Sequence, residues 1–343
     1  MRRRSISLLV FVAVLLLTLW LVPSVLLLIF AGVLLAVFLR GGGDLVFKRF
    51  GLGGTARVLL FALLVVGAVA GFGMLAAAPL ADQASQLWQQ VPRMTQQLTS
   101  RLESYSWGQQ VLEQLKPENL QLPSGGGRTA VTALGSTFGA LGNAVLLIFL
   151  GIYFAVDPGL HRRGIEHLLT PSLRPKAHRI CREAGETLRG WLGAQLISMT
   201  VVGTLTWLGL WALGVPLAPL LGVIAATLTF IPTIGPVISA VPAVLLGLES
   251  GLTGALSVVG LFIAIQSVES YLVTPYVQQR SVDLPPSITI VSQVAMGTLF
   301  GLMGLALATP LAALALMLTR RLYVEDYLDQ EPPAEAPVIL APR

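Results

Sequence analysis

Apolar residues run through this chain in long stretches separated by short polar ones: Leu8 to Leu39, Val58 to Leu80, Ala130 to Val156, Trp191 to Leu213, Gly254 to Val277 and Ile288 to Leu318. Each approaches or exceeds the roughly 20 residues that carry an α-helix across a bilayer. Leu, Ala, Val and Gly dominate them without strict alternation, which predicts helices and not the period-two strands of an outer-membrane barrel. Two C-terminal stretches are too long for one straight crossing. Leu217 to Leu248 is interrupted by Phe230-Ile-Pro-Thr-Ile-Gly-Pro236, and Pro285 to Leu318 by Gly301, Gly304 and Pro310. Each reads either as one broken span or as a hairpin. The pattern predicts an all-α, polytopic integral membrane protein with broken or hairpin segments in the C-terminal third.

At the N-terminus, Ile6 to Val22 and Ser24 to Leu39 read as two helices folded around Pro23. The apolar character resumes after Pro23 with no clear cleavage site, so both helices are expected to be retained. Residues 82–123 are polar and charge-balanced, with Leu87, Val91, Met94, Leu98, Leu102 and Tyr105 at spacings of three and four. This predicts an external amphipathic helical segment, whose apolar stripe must rest on the membrane interface, on the chain's own spans or on a neighbouring subunit. Ser124-Gly-Gly-Gly127 reads as a hinge. Residues 157–190 form a basic amphipathic segment, with Ala177, Ile180, Cys181, Ala184, Leu188 and Trp191 on one face. The tail, 323–343, is acidic and then Pro-rich, and is expected to be disordered.

Composition supports the same class. The chain is 55% hydrophobic and 11% charged, with a mean hydropathy of +0.78, whereas soluble domains are about 25% charged. Its pI near 9.7 is explained without nucleic acid, because the basic residues flank apolar runs as the positive-inside rule requires. That rule places Arg2 to Arg4, the Arg40 to Arg57 loop, 157–190 and Arg320-Arg321 in the cytoplasm, and so both termini with them. A single cysteine, Cys181, excludes an intrachain disulfide. His161, His167 and His178 lack the cysteine or carboxylate pattern of a metal site. No hydrolase, zinc-protease or phosphate-loop motif is present, and the spans hold no histidine and no aspartate pair, so the chain does not read as an enzyme. No cofactor is expected beyond coupling to protons or sodium.

Glu269 is the sharpest single residue. It lies between Leu261-Phe-Ile-Ala-Ile265 and Tyr271-Leu-Val273, where insertion scales put a carboxylate at roughly 2.5 to 3.5 kcal/mol. Gln266 is one turn earlier on the same face, with Ser270 and Thr274 close by, so a polar stripe can face the bundle interior. Two readings stand: a group on a transport pathway, or a fixed partner in an interhelical hydrogen bond or a pair with Arg280. The backbone opened by Pro232, Gly235 and Pro236, and by Gly301, Gly304 and Pro310, supplies the other candidate pathway positions. Asn143, Gln195, Ser198 and Thr200 read as helix-to-helix glue.

Phe230-Ile-Pro-Thr-Ile-Gly-Pro236, Gln266-x-x-Glu269 with Pro275, Arg280-Ser-Val-x-Leu-x-Pro286, and Leu299-Phe-Gly-Leu-Met-Gly-Leu305 leading to Pro310 together resemble the AI-2E family of bacterial transporters over nearly the whole chain. The resemblance implies a plasma-membrane permease with about eight transmembrane helices; members are associated with export of autoinducer-2, and some with sodium/proton antiport. It supplies no settled set of binding residues. The expectation is a secondary transporter of the bacterial plasma membrane, exporting a small polar metabolite such as autoinducer-2. A sodium/proton antiporter is the alternative, followed by a passive channel and a non-transporting scaffold. The expected partners are the lipid bilayer, a small polar solute or cation, and further copies of the chain in a homo-oligomer.

Overall fold

The structure is a computed structural model that describes residues 23–103, 130–168, 170–273 and 284–328. The expected helix at Ile6 to Val22, the distal part of the 82–123 segment, the Ser124 to Gly127 hinge, Thr274, Arg280 and residues 329–343 lie outside the described residues. Every regular element among the described residues is helical: α1 Pro23–Phe47, α2 Gly54–Glu103, α3 Ala130–Val156, α4 Pro158–Leu168, α5 Arg174–Ala212, α6 Ala218–Leu228, α7 Ile234–Gly247, α8 Gly251–Val268 and α9 Pro286–Thr319. Five stretches, Ser24–Phe50, Gly54–Gln90, Arg174–Ala212, Ile234–Val273 and Pro286–Val324, are long and apolar enough to cross a membrane.

The first three helices are continuous and pack through small residues. A Cβ on Gly32 would lie 2.9 Å from Leu150 Cβ, and one on Gly151 would lie 2.6 Å from Leu35 Cγ. Such close approach lets dispersion hold α1 against α3 where lipid removes the hydrophobic drive between helices. The expected helix end at Leu39 is corrected, because α1 continues to Phe47 and takes Arg40 with it. Two contacts make the extension favourable. Arg40 Nη1 donates to the Ala155 carbonyl at 3.1 Å, satisfying one of the last carbonyls of α3 that no helical N–H reaches, and Gly43 lies against the Arg57 backbone of α2.

Span and amphipathic segment, expected as separate helices, are one in α2, whose 50 residues extend about 75 Å. Part of the support for its polar half is the chain itself. Leu87 packs on the buried cluster of Leu210, Leu221, Leu246 and Val258, and Gln83 Oε1 accepts the Leu220 N–H at 3.2 Å. The basic 157–190 segment is likewise divided between α4 and the start of α5, which runs without interruption into its apolar half.

Both long C-terminal segments double back. Ala218 and Leu221, early in α6, share a buried cluster with Ala243 and Leu246, late in α7, so the two helices run antiparallel about a turn at 229–233. With 11 and 14 residues they reach only about 16 and 21 Å, short of the roughly 30 Å hydrocarbon core. In α9 the break is Gly301, at φ 62° and ψ −144°, a backbone that glycine alone adopts readily. Beyond it, Leu305 Cδ1 comes within 3.2 Å of a Cβ placed on Gly297, and a Cβ on Gly304 would overlap the Met296 carbonyl oxygen. Residues eight apart in a straight helix are about 12 Å apart, so 286–300 and 302–319 are the arms of a hairpin. In both places the fold is a hairpin and not a straight broken span. Past α9, Arg320–Leu328 continue as a wider helical turn, so 323–328, expected in a disordered tail, are helical.

Candidate functional site

The buried face of α5 carries Trp191, Gln195, Ser198 and Val202, at the spacings of one helical stripe. Two of the four are polar. Gln195 is 8% exposed and donates its Nε2 to the Thr229 carbonyl at 2.5 Å. One turn on, Ser198 Oγ donates to Glu269 Oε1, and Gln266 Nε2 donates to Glu269 Oε2 at 2.6 Å. Glu269 therefore sits where α8 opens into a wider π-type turn, Glu269–Val273, with a neutral donor on each carboxylate oxygen. Among the described residues it has no ion pair with a Lys, Arg or His side chain. Widened helical turns of this kind recur at functional sites because they re-aim a side chain and free backbone groups.

The turn 229–233 is the other half of the site. Phe230 stands edge-on to Trp191 with ring centroids 5.8 Å apart, and Ile231, Gly235 and Pro236 are buried. Thr233 has φ 67° and ψ −51°, and Ile234 N–H donates to the Pro232 carbonyl at 2.7 Å. This is a γ-turn of the rare, strained form, centred on a β-branched residue that disfavours positive φ. Its carbonyl is held a second time: Gln293 Nε2, from the first arm of α9, donates to Pro232 O at 2.8 Å, and Gln293 is 1% exposed. Gly235 is required by the tightness of the turn, since a Cβ there would overlap the Leu228 carbonyl oxygen. Two buried glutamine amides, from α5 and α9, thus take up carbonyls that the helix break releases. Burying either amide without a partner would cost about 1–3 kcal/mol.

The second hairpin meets the first at this turn. Phe230 belongs to the same apolar cluster as Trp191, Leu307, Met296, Phe300 and Met303. The expected positions fall into three groups. Glu269 and Gln266 are joined directly. Pro232, Gly235 and Pro236 form a turn that Gln195 ties to α5, one helical turn from the Ser198 that holds Glu269. Gly301 and Gly304 shape the second hairpin, while Pro310 is buried within its returning arm, where its missing N–H removes the donor for the Ala306 carbonyl. Gln195 and Ser198, read from sequence as glue, stand at the centre, and Gln293 was not singled out at all. The signal was present: a glutamine or serine on the apolar face of a spanning helix needs a partner. Asn143 is exposed, and Thr200 bonds back to Leu196 O at 2.8 Å on the outer face of α5. No three His, Cys, Asp or Glu side chains among the described residues are placed to share a metal ion.

A family model described as AI-2E family transporter matches residues 9–323. Among curated relatives, the chain is 26% identical over 277 residues to "Putative transport protein YueF" of Bacillus subtilis (strain 168), covering 76% of this chain and 74% of that one. It is 28% identical over 170 residues to "Putative transport protein YrrI" of the same organism, covering 50% of this chain and 48% of the relative, so the match spans about half of YrrI. It is also 28% identical over 186 residues to "Putative permease PerM" of Escherichia coli (strain K12), covering 53% of each.

Proposed function

The chain belongs to the AI-2E family of transporters and has the long apolar helices of a multi-pass membrane protein; from that premise we propose that it is a secondary transporter of the bacterial plasma membrane whose solute passes Glu269. Both termini are taken to be cytoplasmic. The carrying observation is the carboxylate of Glu269 held by Ser198 and Gln266, two neutral donors, with Ser198 one helical turn along α5 from the Gln195 that ties down the 229–233 turn. A carboxylate so placed keeps its charge available to a proton, a cation or a polar solute, since the described residues supply no fixed counter-charge. Discontinuous helices at membrane depth are the usual framework for such sites, because released backbone groups need either protein partners or a wet cavity. The substrate class is a small polar metabolite such as autoinducer-2, moved outward.

A sodium/proton antiporter is the second reading. It is favoured by the hard oxygen donors gathered here, the Glu269 carboxylate and the Ser198 hydroxyl, which suit a proton or a small cation. Proteoliposomes containing the full chain, loaded in turn with autoinducer-2 or a sodium-sensitive dye under imposed proton and sodium gradients, separate the readings. Gradient-dependent metabolite flux supports the first, sodium–proton exchange without metabolite supports the second, conductance without coupling marks a passive channel, and no flux of any kind leaves a scaffold.

A further inference from the structure

We infer that the junction of α1, α2 and α5 binds the phosphate headgroup of an anionic phospholipid. Three arginines from three helices gather there, two of them paired with one acid. Asp44 Oδ1 pairs with Arg57 Nη1 at 2.6 Å, and Asp44 Oδ2 with Arg189 Nη2 at 3.6 Å. Arg40, held through Nη1 by the Ala155 carbonyl, turns its Nη2 toward the start of α2. A Cβ on Gly54, the first residue of that helix, would lie 3.6 Å from Arg40 Nη2 and 3.9 Å from Arg57 Nη2. Two guanidinium groups thus converge on one point, beside helical N–H groups that lack intrahelical acceptors. The cluster carries three positive charges against the one of Asp44, and the Nη2 groups of Arg40 and Arg57 supply the donors at that point. A phosphate monoanion satisfies both.

The rim selects a lipid over a soluble anion. Lys48 and Arg49 are exposed on the α1–α2 turn, flanked by Leu45 at 87% exposure and Phe50 at 70%. Basic residues interleaved with bare apolar ones, at the shared end of two apolar helices, match the headgroup and acyl boundary of a membrane. The site is separate from Glu269 and does not depend on which solute is carried.

The test uses the full-length protein in neutral detergent, titrated with phosphatidylglycerol, phosphatidylcholine or inorganic phosphate, and read by melting temperature and by lipid retained in native mass spectrometry. Phosphatidylglycerol is expected to bind and raise the melting temperature, with phosphatidylcholine and inorganic phosphate doing neither. Arg57→Gln and Arg40→Gln should each weaken phosphatidylglycerol binding about tenfold or more, the loss of a charge-assisted contact. Asp44→Asn removes the competing carboxylate and should tighten it, which keeps the test decisive if an arginine variant fails to fold. Arg182→Gln, on the exposed face of α5, should change nothing. Equal stabilisation by phosphatidylcholine or by inorganic phosphate alone, an equal loss in Arg182→Gln, or weaker binding in Asp44→Asn would each overturn the proposal.

Discussion

The helices α1 to α3 and the two C-terminal hairpins are built from the same residues, mainly Leu, Ala, Val and Gly, yet they handle the backbone in opposite ways. In α2 the glycines at 67, 71 and 73 face open space and the helix runs on regardless. In the hairpins, Gly235 and Gly304 are pressed against carbonyls, and Gly301 turns the chain. Glycine alone does not break a membrane helix. At the 229–233 turn the released carbonyls of Thr229 and Pro232 are taken up by Gln195 and Gln293, and there the break persists. Polar side chains and irregular backbone therefore occur together at that turn, and the Gln195 that ties it to α5 is one helical turn from the Ser198 that holds Glu269.

The contrast is sharpest at single glycines. Gly235→Ala drives a methyl into the Leu228 carbonyl and should cost about 3 kcal/mol or more, while Gly71→Ala should leave α2 unharmed or strengthen it by up to about 1 kcal/mol. Thermal melting in detergent compares them, and equal effects would erase the distinction between the two regions. Next in size is Gln293→Leu, which leaves the Pro232 carbonyl with the Ile234 N–H as its one remaining donor and should cost about 1–1.5 kcal/mol. A neutral result would mean that the turn does not depend on its glutamine. Thr233→Gly should raise stability by about 1 kcal/mol by relieving positive φ at a β-branched residue; a fall in melting temperature would show that the side chain contributes more than its strain. The smallest effect belongs to Arg321→Gln. It removes the 2.7 Å pair with Glu183 near the ends of α5 and α9 and should cost less than about 1 kcal/mol for a partly exposed pair.

Much of this was legible in the sequence, for physical reasons that differ by position. Unbroken apolar runs specify membrane helices because the bilayer permits little else, and Pro232, Gly235, Pro236 and Gly301 marked where the helices fail. Glu269 stood out because a carboxylate in such a run is costly. Whether a failed helix bends or reverses was not legible, since that depends on packing between distant segments, such as the cluster that holds Ala218 and Leu246 or the approach of Leu305 to Gly297. Gln195 and Ser198 were visible but undervalued, because interhelical glue and a site partner share the same pattern until the opposite helix is placed. The joining of span and amphipathic segment in α2 was missed for a related reason: a change from apolar to polar composition marks a change of surroundings and need not mark a helix end.

The most direct test of the central claim is flux through Glu269→Gln in proteoliposomes under imposed proton and sodium gradients, alongside the unmodified protein. Glutamine preserves the size of the side chain and retains a carbonyl acceptor, but it carries no charge and takes up no proton. The account predicts a folded protein of near-normal melting temperature whose gradient-dependent flux is lost. Flux and coupling equal to those of the unmodified protein would show that Glu269 is a structural hydrogen-bond partner and that the transported species passes elsewhere.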